Sequence, residues 1–328
     1  MMLKLITFFA VLSPILCVKL SEEFDAERAE TCGIPSIPEK PSPNPPDDKA
    51  PWTMGITYSQ IDRQTKKLSK FYLSGLLVSA RHVIVPGHIG VEIVDKTNNK
   101  QWKWIDNTNV DFKTCQENEM EIPENTLKQM KISISTCQDA DRCGTHIERS
   151  VINGWYLGNC QPGEIPFGIL LLEISSNVPQ DADFFVPVCI PAEKKPVFIK
   201  DTVHFDSFRG DKKVVVISDP ATIKSCSADI GKFVQSVCAT LSTCNTNKRD
   251  GRGGTLVKKI DGRETGIAML YSFYGKGCDH DHYVSIGFFK DKLCSLAGIC
   301  KVTTQPQETS SQSGTQHILV FIILAFFL

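Results

Sequence analysis

Net charge of either sign is almost absent: 36 basic and 37 acidic side chains in 328 residues leave a formal charge of −1. A balance this even lacks the electrostatic footprint that nucleic-acid binding or a polybasic membrane surface needs, so no nucleic-acid partner is expected. Helical patterning is scarce. Only Asp229 to Leu241 spaces its apolar residues (Ile230, Phe233, Val234, Val237, Leu241) in a helix-like way. There is no internal repeat and no N-x-S/T sequon, so N-glycans are not expected. No cofactor is called for. The run Asp279-His280-Asp281-His282 alternates acid and imidazole beside Cys278, but the spacing supplies no further ligands, so no metal site is expected. The apolar end from Ile318 to Leu328 falls short of the roughly 20 residues that cross a bilayer.

What is present points outward. At 41% hydrophobic residues the chain can bury a sizeable core, and its length suggests about two domains. Thirteen cysteines are too many for a reducing compartment. Residues 1–17 read as a signal peptide, with Lys4 ahead of an apolar run from Leu5 to Ile15 and a small residue, Cys17, at the cleavage point. Removing Cys17 leaves an even number of cysteines, which suits a disulfide-bonded protein. Residues 18–50 are acidic and then proline-rich, and 51–300 form the folded domain. Residues 301–317 make a polar stalk before the tail at 318–328. A short apolar end after Ser310, Ser311, Ser313 and Gly314 has the pattern of a glycolipid-anchor signal, although its spacer is shorter than that pattern prefers. A greasy tail is the alternative, and a lipid anchor would be the chain's link to a membrane. Secretion or the outer face of the plasma membrane is the expected location.

From Trp52 onward, short β-branched and apolar runs recur: Phe71–Val78, His82–Val85, Val91–Val94, Trp102–Ile105, Ile132–Ile134, Ile169–Ile174, Lys213–Ile217, Leu256–Ile260, Thr265–Phe273 and Tyr283–Phe289. Turn signals separate them, notably Asn98–Asn99 and Asp261–Gly262. Many short strands with few helices predict an all-β sandwich or pair of barrels.

The stretch Leu73-Ser-Gly-Leu-Leu-Val-Ser-Ala-Arg-His-Val-Ile-Val-Pro-Gly-His88-Ile89 resembles the strand–turn–strand that delivers the catalytic histidine in chymotrypsin-like serine proteases. Leu73 and Ile89 stand where that family has a disulfide pair, and the two cysteines are lost together. Cys32-Gly-Ile-Pro-Ser-Ile resembles the start of a chymotrypsinogen-type propeptide, and Val188-Cys189-Ile190-Pro191 resembles the segment it is bonded to. More narrowly, the chain resembles nematode secreted chymotrypsin-like proteins. The resemblance implies an all-β fold of two packed six-stranded antiparallel barrels, with a disulfide-bearing insertion and a short C-terminal helix. It also implies the bonds Cys32–Cys189, Cys226–Cys238 and Cys244–Cys278. Cys115, Cys137, Cys143, Cys160, Cys294 and Cys300 are left, with bridges favoured inside the 115–160 group and inside 294–300. The long interval from His88 to Gly168, with four of these cysteines and Trp155, is expected to form a stapled insertion on a barrel rim.

The chemistry the family performs needs a hydroxyl nucleophile, a histidine base, a carboxylate that fixes the base's tautomer, and backbone donors for the oxyanion. The resemblance places His88 at the base. Gly168 falls at the carboxylate position, with Phe167 the alternative under a one-residue slip, and neither can orient an imidazole. Arg252, in Asp250-Gly251-Arg252-Gly253-Gly254-Thr255, falls at the nucleophile. A guanidinium stays protonated and has no lone pair for attack. Loss of any one triad member leaves roughly 10³–10⁴-fold acceleration over water, and here two are replaced. The proenzyme switch is missing as well, since Gly251 stands where the receiving carboxylate belongs. A pseudoprotease is therefore expected, acting as a protein-binding module whose partner the residues do not name. The rivals are a hydrolase with a relocated nucleophile, Thr255 or Ser242 working with His88, and a structural extracellular component. Tyr274 and Gly275 are expected to wall a substrate pocket with Ser242 near its base.

Overall fold

The computed structural model describes residues 19–34, 50–61, 68–94, 101–134, 147–178, 185–209, 215–242, 252–272 and 281–303. The leader, most of the proline-rich connector, Cys137, Cys143, Cys244, Cys278, Tyr274, Gly275, the stalk beyond residue 303 and the apolar end lie outside the described residues.

Among the described residues a helix α1 (Glu22–Thr31) precedes sixteen strands. These are β1 (Thr53–Ile61), β2 (Leu68–Ser79), β3 (His82–Pro86), β4 (Val91–Ile93), β5 (Trp102–Trp104), β6 (Glu119–Glu121), β7 (Met130–Ile134) and β8 (Ile147–Gly158). There follow β9 (Gly168–Ile174), β10 (Thr202–Arg209), β11 (Val215–Lys224), β12 (Ser236–Leu241), β13 (Arg252–Gly253), β14 (Thr255–Ile260), β15 (Arg263–Ser272) and β16 (Asp281–Ser285). Short helices α2 (Glu124–Leu127) and α3 (Ala228–Gly231) interrupt them, and α4 (Lys290–Ala297) closes the domain.

The strands close into two six-stranded antiparallel barrels. The first runs β1-β7-β8-β9-β3-β2 and shuts through β1–β2; the second runs β10-β11-β12-β16-β15-β14. Each barrel removes the exposed edges that open sheets must otherwise shield. β3 and β9 are buried along their whole length, which is why His82–Val85 and Ile169–Ile174 read as near-continuous apolar runs. The hairpin β14–β15 turns at Asp261 (φ 51°) and Gly262 (φ 76°) between the paired Ile260 and Arg263. Two left-handed residues make the turn whose twist matches its strands, and Asp-Gly is the dipeptide that tolerates it. Among the described residues four disulfides join Cys32–Cys189, Cys115–Cys160, Cys226–Cys238 and Cys294–Cys300, consistent with an oxidising, extracellular setting. No described helix is long and apolar enough to cross a membrane.

Three local expectations fail. Asp229–Leu241 is not a helix: α3 ends at Gly231, a turn follows, and Ser236–Leu241 forms β12. Val237, Ala239 and Leu241 alternate into the core of the second barrel, and Ser236–Ala239 pair with Asp281–Val284. A period of two is therefore hidden inside a looser helix-like spacing. Tyr283–Phe289 is strand only to Ser285, after which Gly287–Phe289 forms one 3₁₀ turn into α4. Trp155 does not decorate a rim insertion; it is buried in β8, paired with Leu171, within the first barrel wall. The additions to that barrel are the β4–β5 ribbon and β6, with Cys115–Cys160 tying their flank.

The acidic stretch after the leader is α1, and it is built into the domain. Asp25 is buried; it accepts Arg28 Nε at 2.8 Å and the backbone N–H groups of Cys300 and Lys301 at 2.8 and 2.7 Å. Arg28 Nη2 donates to Lys301 O at 2.6 Å, and Leu20 N donates to Ala297 O at 2.9 Å. The beginning and the end of the domain are thus stitched together.

Candidate functional site

Strand order brings the sequence-predicted positions to one end of the first barrel. Four successive neighbours, β9, β3, β2 and β13, carry them. β3 leaves the barrel wall at Pro86, which pairs with Ile169, and its next residues form a single 3₁₀ turn, Gly87–Ile89, holding His88. Gly168 opens β9 beside that turn. β13 runs parallel to β2 with Arg252 opposite Leu73 and Gly253 opposite Ser74. Leu73 and Ile89 are both buried apolar residues.

The surroundings of Gly168 are closed by backbone. A Cβ there would lie 2.9 Å from Gly158 Cα and closer still to Leu157 O. From the other side, a Cβ on Gly87 would lie 2.7 Å from Gly168 O. Real Cβ atoms do not approach this closely, so β8, β9 and the His88 turn touch main chain to main chain. A side chain at 168 would have to force apart a pair of hydrogen-bonded strands.

An aromatic chain occupies the adjoining volume. The His88 ring meets Tyr271 edge-on, with centroids 5.6 Å apart. Tyr271 tilts against Phe167 at 4.7 Å, and Phe167 stacks on Phe233 at 4.8 Å. The Phe167 carbonyl accepts Gln235 Nε2 at 3.2 Å. Burial pushes the Tyr271 phenol up to about 12, so it faces the imidazole as a neutral hydroxyl ring. Phe167, the residue reached by the one-residue slip, therefore belongs to this aromatic row. Neither Tyr271 nor Phe233 is marked as a site residue by the sequence; Tyr271 lies three residues before Tyr274, within the apolar run Thr265–Phe273.

The other sequence candidates are separated from this cluster. Ser242 is exposed at the end of β12, with its N–H bonded to Pro220 O at 2.8 Å. Thr255 is buried in β14, its hydroxyl 3.7 Å from Met269 Sδ. Asp281 and His282 are buried in β16, and no cluster of metal-ligand side chains forms among the described residues.

A polar seam joins the barrels behind β13. Ser207 Oγ donates to Gly253 O at 3.1 Å and lies 3.0 Å from Ser74 Oγ. Next to it, Trp52 Nε1 donates to Asp206 Oδ2 at 2.9 Å. Burial raises the Asp206 carboxyl to about 6; hydrogen bonds from Ser218 and Trp52 and the nearby His204 oppose the rise, and Glu264 adds to it. The folded state thus holds this proton through a window, about pH 4 to 6, in which the unfolded chain has released it. Stability from this group is present below about pH 4 and is lost as pH rises through 6. Asp206→Asn keeps an acceptor for Trp52 and removes the titration. The parent is expected to gain about 2 kcal/mol relative to this variant between pH 7 and pH 4, read by urea unfolding at both pH values.

A second buried group lies farther from the cleft. Ser79 Oγ accepts the N–H groups of Arg81 and His82, which leaves its own proton for His82 Nδ1 at 2.8 Å. His82 is then neutral with its proton on Nε2. Burial, helped by Arg81, pushes its pKa down to about 3.

Two closed six-stranded barrels joined along a polar seam, with the His88 turn at one end, define a trypsin-like fold. The chain belongs to the nematode trypsin-6-like family, whose model matches residues 2–300. No curated protein matches the chain at a significant level.

Proposed function

We propose that this trypsin-like protein is a catalytically inactive relative of the serine proteases, secreted or held at the cell surface, that works as a protein-binding module. The observation that carries the reading is the closure around Gly168. Where the resemblance expects a carboxylate to orient His88, a Cβ would run into the main chain of Leu157 and Gly158. Supporting it, Arg252 sits one strand away where the resemblance expects a hydroxyl, and the imidazole meets an aromatic edge. A tautomer held by a carboxylate and a hydroxyl that gives up its proton are the two requirements of acyl transfer here. Neither Gly168 nor Arg252, at the positions where the resemblance expects the acid and the nucleophile, brings a side chain that can meet them.

The relocated-nucleophile alternative gains nothing from geometry, because Thr255 points its hydroxyl at a sulfur and Ser242 lies out on the surface at the end of β12. Export through the leader at 1–17 belongs to the same reading and is supported by the four disulfides among the described residues; retention by a lipid anchor replacing residues 318–328 is proposed with it. The test is a serine-directed fluorophosphonate probe applied to the purified protein. No labelling above the heat-denatured control is expected; stoichiometric labelling that heat abolishes would overturn the reading.

A further inference from the structure

The turn from Pro196 to Asp201 presents two adjacent large apolar side chains to solvent, Phe198 at 68% and Ile199 at 61% exposure. They are not loosely held. Phe198 N–H donates to Asp201 Oδ2 at 3.0 Å, and Asp201 N–H returns to Phe198 O at 3.0 Å. Lys258 clamps the base of the turn, with Nζ 2.8 Å from Asp201 Oδ2 and 3.5 Å from Pro196 O. Val197 turns inward against the second barrel's core. Lys200 takes a left-handed conformation (φ 80°), and its N–H bonds Ile223 O at 2.9 Å. The backbone is therefore fixed in a form that aims Phe198 and Ile199 away from the protein, so they cannot fold back to bury themselves.

Charge around the tip has one sign. Lys195 and Lys200 flank it in sequence, and the Lys200–Ile223 bond sets Lys224 alongside; all three are exposed. The carboxylate within the turn, Asp201, is already paired with Lys258. The even charge of the whole chain conceals this local imbalance. A rigid apolar tip ringed by ammonium groups fits an interface that offers hydrocarbon below a negatively charged layer. A protein hot spot would instead favour a concave, water-excluding rim around its anchors.

We propose that the Pro196–Asp201 turn docks on anionic phospholipid surfaces, with Phe198 and Ile199 inserted below the headgroups and Lys195, Lys200 and Lys224 against the phosphates. This contact is independent of any lipid anchor and of the catalytic status of the His88 end.

Vesicle sedimentation tests it, using the full chain and its variants side by side so that any contribution of residues 318–328 is common to all. Phosphatidylserine mixed into phosphatidylcholine is compared with phosphatidylcholine alone. The parent is expected to bind the anionic vesicles, and the double variant F198S/I199S to bind them weaker by about tenfold for each side chain removed. Lys195→Gln with Lys224→Gln should cost about fivefold per lysine and flatten the salt dependence. Phe198→Trp should shift its emission to the blue on anionic vesicles only. All these positions are exposed, so unchanged near-ultraviolet circular dichroism is expected to verify folding. Equal sedimentation of the parent and F198S/I199S would overturn the proposal, as would failure of the parent to bind anionic vesicles.

Discussion

Replacing Asp25 by alanine is expected to destabilise the domain by about 3–5 kcal/mol, the cost of removing one partner from a buried charge pair. The magnitude follows from what the carboxylate holds. One oxygen takes the Arg28 guanidinium and the other takes two backbone N–H groups, those of Cys300 and Lys301. Alanine leaves a buried guanidinium without its counter-charge and two N–H donors without an acceptor, and each unmet donor adds its own desolvation cost. Asp25→Asn keeps one acceptor oxygen for the N–H groups but loses the charge, so it should fall between the two. Arg28→Ala is expected to be less costly than Asp25→Ala, since Asp25 retains two donors. Midpoints of urea unfolding for the three variants check the order. Wild-type stability for Asp25→Ala would mean that α1 contributes nothing to the fold.

Gly168→Asp, the change that would return a carboxylate beside His88, is expected to lower stability by at least about 3 kcal/mol and to restore no hydrolysis. Overpacking a well-filled interior commonly costs about 1–3 kcal/mol. Here the obstruction is the backbone of Leu157 and Gly158 rather than a side chain able to swing away. Burying an ionised carboxyl against Leu157 and Gly158 adds to the cost. Gly168→Ala separates the two contributions: it meets the same main-chain obstruction without the charge. Combined with Arg252→Ser, the aspartate variant should remain inactive on peptide and ester substrates. Turnover by that double variant, or native stability of Gly168→Asp, would show that β8 and β9 can move apart and that the closure is not a barrier.

The strands that can be found in the sequence are those whose burial is plain in their composition. β3 and β9 are buried throughout and apolar apart from His82 and Glu173, and the β14–β15 turn carries an Asp-Gly dipeptide that only a left-handed turn needs. β10 is not visible because its middle is Asp206-Ser207, polar residues whose partners Trp52, Ser74 and Gly253 come from other strands. β1 and β8 escape notice too, although Met54, Ile56 and Tyr58 alternate into the core. The positions proposed for the acid and the nucleophile, Gly168 and Arg252, rest on matching short motifs, each within a local run. The aromatic row Phe233–Phe167–Tyr271–His88 cannot be found that way, because its members come from four distant stretches of the chain. The same holds for α1: its charges read as a solvated acidic stretch, and the groups that bury Asp25 lie more than 270 residues away.

The Cys32–Cys189 bond reaches across 157 residues, and both of its sulfurs belong to buried residues. Cleavage of any peptide bond between residues 35 and 49 would leave two polypeptides tied by that one covalent link. A nicked molecule would keep its hydrodynamic size and shed no fragment until a reductant reached the interior. Loss of the α1 segment would thus demand two independent chemistries, hydrolysis of a peptide bond and reduction of a buried disulfide.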